Sequence, residues 1–296
     1  MPNSEFSAGR LPLIRQLSEA RFKFLGEPAL PAEAKVIEGP DGPLEVCWFD
    51  PAPGSKDRPA LLHIHGGGMI LGSAKLMQHG PVTMAADLGI PVASVEYRLA
   101  PEHPFPAPQK DCFAALAWLA AHAQELGVDR ERIAIIGESA GGGLAAATAL
   151  MARDRDGPLL AGQFLVFPML DHRTGGPECR HNNPTTGEWV WTRDSNRFGW
   201  EALRGGYQLD DNRIGWFSPA LTDALHGLPH TWIGTGSLDL FFDENLDYAR
   251  RLTACGVPVE LHVYPGAPHA FQLIADSYVA KAFRRDLTSA ISKFLG

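Results

Sequence analysis

Cysteine is scarce in this sequence, with four residues in a chain of 296. Cys47, Cys112, Cys179 and Cys255 stand far apart and form no C-x-x-C pair. This spacing excludes the clustered thiols of a zinc site or a dithiol redox motif, and it argues against a disulfide framework. We therefore expect reduced thiols and a cytoplasmic protein.

Long apolar runs and cationic clusters are also missing. No stretch approaches the roughly 18 apolar residues that a membrane-spanning helix needs. Residues 1–22 contain no uninterrupted apolar segment, so we expect no secretory signal. The 26 Lys and Arg residues are scattered among 34 Asp and Glu residues, for a net charge of −8. We therefore expect neither a membrane nor a nucleic acid as partner.

What the chain does contain, from about residue 34, is an alternation of short apolar runs with helical patterns. Such an alternation predicts a mostly parallel sheet covered by helices on both faces. Strands are predicted at 34–38, 44–49, 60–65, 92–97, 132–136, 164–169, 231–234 and 259–264, and helices at 111–126, 144–153, 244–254 and 278–295.

One segment, residues 171–216, breaks this rhythm. It holds four of the seven tryptophans, namely Trp189, Trp191, Trp200 and Trp216. We interpret it as an insertion over the carboxyl edge of the sheet, where such folds bind ligands. Its aromatic rings are expected to wall a substrate pocket. The alternative is that they pack only against the N-terminal arm.

A G-x-S-x-G pattern, Gly137 to Gly141, follows a predicted strand and leads into a predicted helix. A serine hydroxyl is a poor nucleophile unless it projects from the backbone beside a base. A tight strand-to-helix turn flanked by glycines achieves this. Ser139 is therefore the candidate nucleophile. A Gly-Ser turn with a structural role alone is the alternative.

Three glycines, Gly66 to Gly68, follow the strand predicted at 60–65. A glycine run can leave a sheet with its backbone N–H groups unpaired and aimed at one point, as an oxyanion hole requires. We assign this hole to the amides of Gly67, Gly68 and Ala140. A flexible turn is the alternative.

His63 and His65 lie on one predicted strand, a spacing that two metal ligands can share. No second group of His, Asp or Glu stands out at metal-ligand spacing, so we expect no metal. His65 is expected to hold the glycine loop by hydrogen bonding, and His63 to be a core or loop histidine.

The base and the acid of a serine hydrolase are expected near the C-terminus. His269 lies in a turn-rich loop after the last predicted strand, 259–264. Asp239 lies at the end of Thr235-Gly-Ser-Leu-Asp239, directly after the preceding predicted strand, 231–234. Asp243 is the alternative acid, but it stands where a helix begins and is better explained as an N-cap or first-turn residue. The order Ser139, Asp239, His269 is the one expected for α/β-hydrolases.

Together these motifs resemble those of the hormone-sensitive-lipase-like esterases, from about residue 34 to the end. The segments that carry the resemblance are His65–Gly68, Glu96–Ala107, Gly137–Gly142, Asp239 and His269. It implies an α/β-hydrolase core of about eight strands, flanked by helices, with a helical cap. The implied ranges are 1–30 and 171–216 for the cap, and 31–170 and 217–296 for the core.

The resemblance also implies hydrolysis of small carboxylic esters without a cofactor, so the expected partner is a small-molecule ester. A homodimer is left open. Amide hydrolysis, lactone hydrolysis and acyl transfer use the same triad chemistry and stay open as well. Non-catalytic binding proteins on this fold, such as the gibberellin receptors, lack the histidine that stands at position 269 here.

The sequence departs from the family pattern in three places. Met69 stands where relatives usually carry an aromatic residue, which softens the wall near the oxyanion hole. We count it with Trp189, Trp191 and Trp200 among the expected substrate contacts. Leu240-Phe-Phe242 replaces Pro-Leu-Arg, and Ala270 replaces a glycine. These two changes bear on local loop geometry and remove no catalytic group.

Overall fold

The structure is a computed structural model that describes residues 6–23, 29–181 and 183–296. These residues contain eight β-strands. They are β1 (Glu33–Gly39), β2 (Gly42–Phe49), β3 (Arg58–Ile64), β4 (Val92–Val95), β5 (Val128–Glu138), β6 (Gly162–Val166), β7 (Thr231–Gly236) and β8 (Val259–Tyr264). One sheet contains them all, in the order β1-β2-β4-β3-β5-β6-β7-β8. β2 is antiparallel to β1 and β4, and the other neighbours are parallel. The predicted sheet is confirmed.

Alternate residues of the central strands enter two different hydrophobic cores. In β5, Ile133 and Ile135 belong to one core, whereas Ala134 and Ile136 belong to the other, and all four are fully buried. Burial on both faces is why these strands appear in the sequence as continuous apolar runs.

Helices cover both faces of the sheet. They are α1 (Leu11–Lys23), α2 (His79–Leu88), α3 (Ala107–Ala121), α4 (Ala140–Asp154), α5 (Arg193–Arg204), α6 (Ile214–Phe217), α7 (Phe242–Ala254) and α8 (Tyr278–Leu295). α2 and α8 contribute to one core, and α3, α4 and α7 to the other. Among the described residues, no helix is both long and apolar enough to span a membrane.

Helices α1, α2, α5 and α6 were not among the four predicted individually, and α3 and α4 each begin four residues earlier than predicted. α2 was not predicted, because Gly80 and Pro81 in its first turn give it little intrinsic helical preference; the burial of Val82 and Ala85 stabilises it instead. α3 begins at Ala107, between Pro106 and Pro108, rather than at residue 111. Proline is tolerated there because the first turn of a helix needs no N–H donor.

The N-terminal region contacts the segment predicted as an insertion. The ring of Phe6 lies 5.7 Å from that of Trp191 and 5.9 Å from that of Phe198, between centroids. On α1, the Arg15 Nε donates to the carbonyl of Ile70 at 2.9 Å, so α1 also contacts the loop after β3. Of the predicted cap ranges, residues 1–5, 24–28 and 182 lie outside the described residues.

Candidate active site

Ser139 occupies the tight turn where β5 ends and α4 begins. Its backbone has φ 57° and ψ −119°, a conformation that costs a non-glycine residue on the order of 1–3 kcal/mol. Main-chain hydrogen bonds hold the turn, since the Ser139 amide donates to the Val166 carbonyl and the Met169 amide donates to the Ser139 carbonyl, each at 2.9 Å. A Cβ added to Gly141 would lie 2.0 Å from the Ile64 carbonyl oxygen, so this turn requires glycine.

The side chains of Ser139, His269 and Asp239 form one hydrogen-bonded row. The His269 Nε2 lies 2.9 Å from the Ser139 Oγ, and its Nδ1 lies 2.8 Å from the Asp239 Oδ2. All three residues are buried. An ionised carboxylate only accepts, so His269 Nδ1–H donates to Asp239 and the Nε2 lone pair accepts the Ser139 hydroxyl. This arrangement can remove a proton from serine.

Two phenyl rings that the sequence analysis did not single out for a role support His269. The rings of Phe167 and Phe241 lie 4.9 and 5.2 Å from the imidazole in edge geometry. The Phe241 amide also donates to the Asp239 Oδ1 at 3.0 Å, so this residue contacts both acid and base. Phe241 lies in Leu240-Phe-Phe242, which departs from the family pattern directly after Asp239, and this departure could have marked it as a neighbour of the site. Phe167 carried no such signal.

Residues next to His269 and Asp239 in the chain have distinct structural roles. Ala270, which follows His269, has φ 57°, in the left-handed region that a glycine adopts without strain. Asp243 lies in the first turn of α7, as expected for a residue that stabilises a helix start. Next to it, Glu244 is buried and accepts hydrogen bonds from the Leu170 and Asp171 amides, and burial raises its pKa well above the ordinary value.

The predicted oxyanion-hole amides lie in the loop after β3 and at the start of α4. Gly67 and Gly68 have φ of 123° and 63°, and a Cβ added to Gly68 would stand 2.1 Å from the indole ring of Trp191. Within the described part of the chain, the backbone N–H groups of Gly67, Gly68 and Ala140 have no hydrogen-bond acceptor. They are thus available to an oxygen of a bound molecule.

His65 makes the hydrogen bond to the glycine loop that the sequence suggested. Its Nδ1 lies 2.7 Å from the Gly66 carbonyl oxygen, and its ring stacks on that of Tyr97 at 4.2 Å between centroids. Burial lowers the pKa of His65 to about 4, so the ring is neutral at neutral pH and its Nδ1–H donates to Gly66.

The burial of His65 predicts a pH-dependent stability. The unfolded histidine has a pKa near 6.5 and the folded one a pKa of about 4, so the unfolded chain binds more protons between these values. Stability is therefore expected to fall as pH is lowered from 6.5 through 4, by about 3 kcal/mol from this group. Urea unfolding at a series of pH values measures it. A His65→Phe variant is expected to show a flatter profile, and an unchanged slope would contradict the assignment.

His63 is engaged with two side chains instead of standing free for a metal. Its Nδ1 lies 2.8 Å from the Ser94 Oγ, and its Nε2 lies 3.1 Å from a Glu138 carboxylate oxygen. Among the described residues, no group of three or more His, Cys, Asp or Glu side chains is placed to hold a metal ion.

The four predicted substrate contacts lie in different surroundings. Trp191 packs on Gly68, and its Nε1 donates to the Asn196 Oδ1 at 3.1 Å. Trp200 is buried against the rings of His172 and Phe217, whereas Trp189 is 63% exposed. Met69 is 1% exposed and lies within the larger core. Contact of these residues with substrate stays a prediction.

Comparisons with known proteins show the family to which this chain is similar. Residues 61–273 match a family described as alpha/beta hydrolase fold. The carboxylesterase NlhH of Mycobacterium tuberculosis (strain ATCC 25618 / H37Rv) is 37% identical over 268 residues, which cover 86% of this chain and 82% of that protein. Esterase LipI of the same strain is 34% identical over 230 residues, covering 77% and 70%. The solved structure of a bacterial heroin esterase superposes with a TM-score of 0.91 at 36% identity, covering 97% of this chain and 93% of that one.

Proposed function

This chain belongs to the hormone-sensitive-lipase-like carboxylesterases of the α/β-hydrolase fold, and we propose that it hydrolyses small, short-acyl esters through an acyl-enzyme on Ser139. The observation that carries the proposal is the buried hydrogen bond of 2.9 Å between Ser139 Oγ and His269 Nε2. It supports a serine that is activated by a base, and it argues against a binding protein without catalysis.

In the proposed reaction, Ser139 Oγ attacks the ester carbonyl carbon while His269 Nε2 takes the hydroxyl proton. Asp239 stabilises the imidazolium through Nδ1–H, and the carbonyl oxygen, now negative, accepts from the amides of Gly67, Gly68 and Ala140. His269 returns the proton to the alcohol that leaves. Water then attacks the acyl-enzyme with the same base and releases the acid and the free serine.

We assign the predicted ranges to a cap (1–30 and 171–216) and a core (31–170 and 217–296). The contacts of Phe6 with Trp191 and Phe198 support a cap built from both chain segments. A cytoplasmic location is also proposed, and the four free cysteines support it.

A panel of aryl and alkyl esters, lactones and anilides, assayed with purified protein, tests the reaction class. We expect turnover of esters to exceed turnover of lactones and anilides. Faster turnover of anilides or lactones than of any ester would contradict the proposal. Labelling by a fluorophosphonate without turnover of any substrate would contradict it too.

Substrate size gives a separate prediction. The ring of Trp191 fills the space beside Gly68, so the pocket near the oxyanion hole is expected to hold short acyl groups. Each buried methylene gains roughly 0.8 kcal/mol only while the pocket has room, so kcat/KM is expected to peak at acyl chains of about two to six carbons. Kinetics on p-nitrophenyl esters from acetate to palmitate measure this profile.

A pair of variants sharpens the size test. Trp191→Ala is expected to move the maximum toward longer acyl chains. Trp216→Ala is the matched control, because Trp216 donates to Asp154 at the far end of α4 from Ser139 and should leave the profile unchanged. A maximum at about ten carbons or more in the unmodified enzyme would contradict the prediction, since each methylene then still finds room.

A further inference from the structure

His63 joins three neighbouring strands through side chains. It lies in β3, opposite Ser94 of β4 in the strand register, and its ring bonds to Ser94 on one side and to Glu138 of β5 on the other. His63 is 2% exposed and Ser94 is fully buried. This row of serine, histidine and carboxylate is separate from the one proposed for catalysis, and the proposed reaction leaves it without a role.

Glu138 is the residue before the nucleophile. Its carboxylate is turned to β3, where it bonds to His63. Its main-chain carbonyl also faces the chain that continues β3, because that oxygen lies 2.9 Å from the place of a Cβ on Gly66. Glu138 therefore lies between the turn at Ser139 and the glycine loop. Its side chain contacts His63 of β3, and its main chain lies against Gly66.

The turn at Ser139 and the glycine loop lie side by side at Glu138, and in the proposed reaction both must contact the same carbonyl group of the substrate. β5 continues into Ser139, and β3 continues through His65 into Gly67 and Gly68. The turn at Ser139 is strained, so the contacts around it decide where the hydroxyl stands. A displacement of about 1 Å in such a site costs on the order of 10²-fold in rate.

Resting on the proposed function, we propose that His63 is a positioning residue for the nucleophile. By holding the Glu138 carboxylate against β3, it sets the spacing between Ser139 and the oxyanion-hole amides. His63 touches neither substrate nor the reacting atoms in this role. The contact with Glu138 carries the effect, and the contact with Ser94 orients the ring.

Three substitutions of His63 separate these contacts. His63→Gln places an amide nitrogen near the position of Nε2 and can keep the bond to Glu138. His63→Asn reaches only the position of Nδ1 and can keep the bond to Ser94 alone. His63→Leu keeps neither bond. We expect His63→Leu and His63→Asn to lower kcat by roughly 10- to 100-fold with little change in KM, and His63→Gln to retain most of the native kcat.

The measurement is kcat and KM of a p-nitrophenyl ester, with active sites counted by fluorophosphonate so that unfolded protein does not contribute. Gln163→Leu is the control, because it breaks a comparable buried bond between strands, Gln163 Nε2 to Thr231 Oγ1 at 2.8 Å. This bond lies at the amino-terminal ends of β6 and β7, whereas Ser139 follows the carboxyl end of β5. It is expected to lower Tm and to leave kcat unchanged.

A double variant completes the test. If His63 acts through Glu138, His63→Leu should have little further effect on kcat in a Glu138→Leu background. Multiplicative losses, equal activity of the Asn and Gln variants, or a normal kcat in counted His63→Leu sites would each overturn the proposal. Absence of fluorophosphonate labelling in the unmodified enzyme would instead overturn the proposed function, so the two failures are distinct.

Discussion

Replacing Ser139 by Ala is expected to reduce ester hydrolysis by about 10⁶-fold in kcat, close to background. The reason is that the row of hydrogen bonds from Asp239 through His269 ends on the Ser139 Oγ, and alanine leaves it without a nucleophile. The unpaired amides beside the site still bind a carbonyl oxygen, so a small residual rate is expected.

A fluorophosphonate is expected to react with Ser139 alone, since this hydroxyl has a histidine as hydrogen-bond acceptor and lies beside the unpaired amides of Gly67, Gly68 and Ala140. The Ser94 hydroxyl also contacts a histidine, His63, but Ser94 is fully buried. Peptide mapping by mass spectrometry locates the adduct. Ser195→Ala serves as control, because the Ser195 hydroxyl contacts Thr192 at the start of α5 and should not affect turnover. An adduct on Ser195 or Ser237 in the unmodified protein would contradict the assignment of the nucleophile.

Asp239→Asn is expected to lower kcat by about 10⁴-fold while the protein stays folded. In the native protein the Phe241 backbone amide donates to Asp239 Oδ1, and the carbonyl oxygen of the Asn side chain can still accept this bond. The side-chain NH₂ of the Asn takes the place of Oδ2 and donates to His269 Nδ1. The histidine must then carry its proton on Nε2, where it can no longer accept the proton of Ser139.

Asp243→Asn is the matched control for this experiment. Asp243 lies four positions further along the chain, in the first turn of α7, where its charge favours the helix. Its loss is expected to cost about 1 kcal/mol of stability or less and to spare turnover. Steady-state kinetics and thermal unfolding of both variants measure the difference. Equal losses of kcat in the two folded variants, or the reverse order, would remove Asp239 from the triad.

The sheet was predictable because its causes are local. Each central strand is buried on both faces, and the result is a short continuous apolar run such as residues 133–136. Helix α2 was not predictable from local sequence, because Gly80 and Pro81 give its first turn a low helix propensity. The helix is stabilised by the burial of Val82 and Ala85, which is a tertiary contact.

The candidate site divides in the same way. The sequence by itself determined the fold class and which serine, acid and histidine to propose, because a tight turn needs its flanking glycines and because motif order follows strand order. Only the tertiary structure decided which side chains meet. His63 and Glu138 are 75 residues apart, and Trp191 rather than Trp189 packs on Gly68. Such contacts depend on strand register and on the path of a long insertion, which no local pattern of residues encodes.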